Sequence, residues 1–220
     1  VYHRNRLDAE PWIADLIRAE QAAGRRVLIG FDFPFGYPRG LAARVTGSDD
    51  PFALWDWLAA RITDDAAGAN NRFEVAEELN GFFDGPGPFW GKTAKDRWPG
   101  VPYRKAFPPT VGSQILMGLP MLSRLRRMEG VGVWPFEGWR APAVLAEIWP
   151  GLIEPAVAED DDDIRDRAQV RLLARALSRL PDETLAAWLA DTPDAAREEA
   201  WILGAGHGDL LTGYSMPRLR

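Results

Sequence analysis

Two short apolar runs, each carrying one acidic residue and each stopped by proline and glycine, constrain this chain more than any other feature. The first is Val27-Leu28-Ile29-Gly30-Phe31-Asp32-Phe33, ended by Pro34, Gly36 and Pro38. The second is Val144-Leu145-Ala146-Glu147-Ile148-Trp149, ended by Pro150 and Gly151. Unbroken runs of this length between turn residues predict strands buried on both faces, as in parallel or mixed sheets. A carboxylate inside such a run is costly unless it meets a partner. Asp32 falls at the carboxyl end of its strand, where open α/β sheets place ligands. It is expected to face a cleft, a metal or a donor, or to cap the loop amides of residues 34–36. If the two strands are neighbours, Asp32 and Glu147 converge. Adjacent carboxylates repel unless a cation holds them, and an all-oxygen set favours Mg²⁺ or Mn²⁺ over zinc.

Helical patterns surround these strands. Asp8 is placed to cap a helix with Trp12, Ile13, Leu16 and Ile17 on one face and Gly24 at its end. Pro51, after Asp49 and Asp50, opens another that turns Phe52, Trp55, Leu58 and Ile62 inward. Further helices are predicted near 72–79, 113–128, 163–180, 182–190 and 194–203, with a third strand-like piece at 132–136. The tail from Gly204 reads as loop. Residues 81–112 differ, being dense in glycine and proline and interleaved with aromatics from Phe82 to Phe107. Such an insertion forms a lid or binding surface, or packs its aromatics onto the core. The alternation of strands and helices, without repeat or linker, predicts an α/β fold in one domain over 1–220.

Composition removes several chemistries. The chain has no cysteine, which excludes disulfide frameworks, thiolate metal sites and a cysteine nucleophile. A hydrophobic share of 46% with 26% charged residues excludes extended disorder. No apolar run approaches the ~20 residues of a membrane helix, and no signal-like segment opens the chain, so a cytoplasmic protein is expected. The net charge of −6 opposes bulk attraction to nucleic acid but leaves local basic patches open. Lysine occurs only at Lys92, Lys95 and Lys105, against many arginines and alanines, as in GC-rich bacterial coding.

A third acid joins the first two. The segment 195–203 is predicted as a helix with an apolar, hence buried, second half. Glu199 shares a face with Ala195 and Ile202 and can point inward, or it forms an exposed pair with Glu198 beside Arg197.

Three motifs carry a family resemblance. Phe31-Asp32-Phe33-Pro34-Phe35-Gly36 resembles the Asp-x-Pro-Phe-Gly strand end of the DUF429 family. Glu147-Ile148-Trp149-Pro150 resembles its Glu-x-Tyr-Pro strand, and Glu199-Ala200 its late Asp-Ala motif with Glu in place of Asp. The likeness spans about residues 27–205. It implies a ribonuclease H-like mixed sheet and a carboxylate site resembling that of metal-dependent nucleases. Asp32, Glu147 and Glu199 would then be catalytic residues and ligands of Mg²⁺ or Mn²⁺, hydrolysing phosphodiesters of nucleic acid or nucleotide. Folds of that kind open with a three-stranded meander bearing a catalytic Asp. None precedes Val27, and Asp8 and Asp15 sit on or beside a helix, so a missing N-terminal segment is expected. The alternatives are a non-catalytic nucleotide- or cofactor-binding protein using the acidic cleft and the aromatic segment, and a structural or interaction module.

Weaker motifs complete the reading. Gly91-Lys92-Thr93 evokes a phosphate loop, but Pro86 stands where that motif needs glycine. Lys92, Lys95 and Trp90 remain candidate substrate contacts. Arg167, Arg171, Arg175 and Arg179 recur every four residues, as a phosphate-tracking stripe or a solvated face with an Asp163–Arg167 pair. The acids of 160–163 suit a helix N-terminus. A serine hydrolase would need His207 and a Gly-x-Ser-x-Gly elbow, and that elbow does not occur. His207 is expected in a flexible loop, with a place at the edge of the acidic site as the alternative.

Overall fold

The computed structural model describes residues 1, 3, 5–82 and 112–215. Within them the chain runs α1 (Arg6–Ala22), β1 (Val27–Phe31), α2 (Leu41–Thr46), α3 (Pro51–Ala59), α4 (Arg72–Asn80) and α5 (Gly112–Leu125). It continues through β2 (Val131–Val133), β3 (Ala143–Glu147), a 3-10 turn (Pro150–Ile153), α6 (Glu154–Ala158) and α7 (Arg165–Arg179). It closes with α8 (Asp182–Ala190), α9 (Ala196–Glu199) and α10 (Gly208–Ser215). Local chemistry explains several boundaries. Asp50 caps α3 by accepting from Phe52 N at 2.9 Å, with Pro51 in the first turn. The cap of α1 is Asn5 rather than Asp8, since Asn5 Oδ1 accepts from Asp8 N at 2.8 Å.

The α/β class holds. The three described strands lie in the order β1-β3-β2 and are all parallel, where a mixed sheet was expected. The register pairs Val27 with Ala143 and Phe31 with Glu147 on one side of β3, and Val131 with Ala143 on the other. Alternating side chains divide between two cores. Phe31, Ala143 and Leu145 join Ile17, Trp55, Leu58, Leu119 and Leu122 on one face. Val144, Ala146 and Ile148 join Trp134, Leu172, Leu173, Ala176 and Leu211 on the other. The sheet is therefore the middle layer of three.

Three readings need correction. β1 is not buried on both faces: Gly30 is exposed and only Phe31 is buried, because β1 is an edge of the described sheet while β3 has a neighbour on each side. The helix predicted over 194–203 ends at Glu199. Ala200 takes φ +59°, a rare conformation for a residue with a side chain, and the chain then runs alongside β3. There Ile202 bridges Glu147 in parallel and Leu203 N donates to Glu147 O at 2.9 Å. Beyond Gly204 the chain is not all loop, since α10 forms there and packs onto α7.

Candidate functional site

Asp32 and Glu147 both lie at the carboxyl edge of the parallel sheet. Phe31, Phe33 and Phe35 pack ring to ring at 5.8–6.0 Å, and Phe35 meets Trp55 edge-on at 5.8 Å. These alternate residues belong to one face, so Asp32 between them turns toward the other, as Leu28 and Gly30 do. Gly30 matters to that face, because a Cβ there would come within 2.7 Å of Ile148. Asp32 is exposed and opens into a cleft of about 330 Å³. Gln114 of α5, Trp149, Gly151, Glu154 of α6 and Gln169 of α7 share its wall. The Trp149 indole rests on Gly151, where a Cβ would lie 2.5 Å from Cε2, so the glycine seats the ring. Glu154 is held by Arg165 at 2.6 Å. The described wall therefore offers carboxylates, carboxamides and an indole face, with no cation among the described lining residues.

Glu147 and Glu199 do different work. Glu147 is 1% exposed, and its Oε2 accepts from Phe35 N at 3.0 Å. Glu199 is 4% exposed, and its Oε1 accepts from Arg39 N at 3.0 Å. Glu198 Oε2 accepts from Gly40 N at 2.7 Å. Three carboxylates thus hold the loop that follows β1. Trp55 Nε1 adds a bond to Phe35 O at 2.8 Å, and burial pushes the Tyr37 phenol up from its ordinary range. The same loop presses on α9: a Cβ on Gly36 would lie 2.5 Å from Glu199 O.

Glu147 and Glu199 thus accept amides of the loop that follows β1, and Asp32 lines the cleft. Among the described residues no group of three or more His, Asp or Glu side chains is arranged to hold a metal. Trp90, Lys92 and Lys95 lie outside the described residues. Gln114, Glu154 and Gln169 were missed, since polar residues on three separate helices share no spacing. Trp149 had a signal, as an indole two residues past the end of β3 and directly before Pro150.

The arginine stripe is used internally. Arg167 binds Asp162 at 2.8 Å and Arg171 binds Asp160 at 2.6 Å, replacing the expected Asp163 pair. Arg167 and the Ile164 amide together hold the Asp162 carboxyl down at about 2. Arg175 and Arg179 donate to the carbonyls of Ser215 and Tyr214 at the end of α10. His207 lies in the loop directly before α10. It stacks on Trp188 at 4.4 Å, and its carbonyl accepts from Leu211 N as α10 begins. Among the described residues no helix is long and apolar enough to cross a membrane. Comparison of the chain with protein families, curated proteins and solved structures finds no match.

Proposed function

We propose that the Asp32 cleft binds an uncharged, hydroxyl-bearing heterocycle of the nucleoside type. The observation that carries this reading is the pairing of an exposed carboxylate with a seated indole in one cleft at the carboxyl edge of a parallel sheet. An indole face stacks on a planar base. A carboxylate at this edge accepts hydrogen bonds from ribose hydroxyls. Carboxamides such as those of Gln114 and Gln169 donate and accept, and so suit a base edge. The carboxylates of Asp32 and Glu154 on this wall repel a phosphate, which favours the nucleoside over the nucleotide. The α/β layering and the acid at the sheet edge support a ribonuclease H-like architecture of the kind the DUF429 resemblance implies.

The second reading is metal-dependent phosphodiester hydrolysis, and one observation favours it: Asp32 and Glu154 line the same cleft. One experiment separates the two. Adenosine, guanosine, cytidine and uridine are titrated calorimetrically against the protein, with and without Mn²⁺, alongside cleavage assays on DNA and RNA. Saturable binding of at least one nucleoside without metal is expected, falling about tenfold or more in Asp32→Ala and in Trp149→Ala. Equal binding by wild type and Asp32→Ala would overturn it. Mn²⁺-dependent cleavage abolished by Asp32→Ala would establish the second reading instead.

A further inference from the structure

A second cleft, about 450 Å³, opens at the other end of the same strands, beside the amino ends of β1 and β3. Arg25, Arg26 and Arg140 line it, together with Gln21 and Glu129. Three arginines at one spot stand out in a chain of net charge −6. Arg25 is already compensated, since Glu20 takes its guanidinium through two bonds at 2.7 and 2.9 Å. Arg26 and Arg140 form no ion pair with a carboxylate of the described residues, Glu129 included.

Their guanidinia are nevertheless oriented. Both lie over the Trp139 ring, 5.6 and 5.3 Å from its centroid. Arg26 Nη2 also donates to Trp139 O at 2.6 Å. A ring face and a carbonyl fix a guanidinium without neutralising it. Cations near a helix C-terminus often serve the helix dipole, but Arg26 bonds to the loop before β3 rather than to α1. The wall is also braced. Gln21 Nε2 donates to Glu129 O at 2.9 Å, and Gly130, at φ +71°, permits that approach because a Cβ would lie 2.7 Å from the amide nitrogen.

We propose that this cleft binds a phosphoryl group, as inorganic phosphate or as a phosphate monoester. Two forked donors lining one opening suit the oxygens of a tetrahedral dianion. With Arg25 and Glu20 compensating each other, Arg26 and Arg140 outweigh Glu129. The inference is independent of the reading of the Asp32 cleft, which faces the opposite end of the sheet.

Calorimetry of the full chain tests it, with inorganic phosphate and glycerol 3-phosphate as probes at constant ionic strength set by chloride. Both probes lack a base and so avoid the Asp32 cleft. Saturable binding is expected, weakened about tenfold or more by Arg26→Gln or Arg140→Gln. Arg140→Lys should fall between, keeping the charge and losing the fork. Melting temperatures of the variants confirm that they fold. Tighter binding of glycerol 3-phosphate than of phosphate would identify an ester as the ligand class, and the reverse order the free ion. An Arg26→Gln/Arg140→Gln double variant that binds like wild type, or the absence of saturable binding in the wild type, would overturn the proposal.

Discussion

β1 and β3 run side by side in strict register, yet β3 is buried at all five positions and β1 only at Phe31. The difference continues past their ends. Glu147, in register with Phe31, points into the first core and accepts the Phe35 amide. Asp32, one residue beyond that position, turns to the other face and into the cleft. A single residue of offset thus decides whether an acid ties a loop or opens into a cleft, because successive strand residues face opposite ways. The Asp32 cleft and the anchored loop lie on the two sides of one sheet edge.

The strongest way to break this arrangement is to push the loop off α9. Gly36→Ala places a Cβ against the Glu199 carbonyl and the Ala200 amide, both backbone atoms that cannot rotate away. A loss near the upper end of ~1–3 kcal/mol is expected, read as a lowered urea midpoint. An unchanged midpoint would mean that the loop has slack. Glu147→Ala comes next, since it strands the Phe35 amide in a buried setting. About 1–2 kcal/mol should be lost, and Glu147→Gln, which keeps a carbonyl acceptor, should recover most of it. Equal losses in both variants would show that the negative charge is what matters, and would revive a role for Glu147 beyond anchoring. The smallest effect belongs to Asp32→Asn, a change at an exposed position, expected within about 0.5 kcal/mol of wild type. A large loss of stability there would dissolve the contrast between the two acids.

Legibility followed the same division between local and long-range causes. The α3 start was readable because Asp50 and Pro51 act on their own neighbours. α8 was readable from 182 to 190 for the same reason. The end of α9 was not, because the apolar residues 200–203 fit a buried helix and a buried extended segment equally well. Only the ladder with Glu147 selects the extended form. The arginines of α7 showed their period but not their partners, since Asp160, Asp162 and the end of α10 meet that face only after folding.

By itself the sequence determined the α/β class, the positions of β1 and β3, and the presence of acids at their ends, because apolar runs and stop residues act over a few neighbours. Tertiary structure decided which acid is buried, which amides it accepts and which cleft its counterpart enters. Those outcomes depend on register and on the order of strands in the sheet, and residues 116 positions apart, such as Phe31 and Glu147, acquire a register only when the whole sheet assembles.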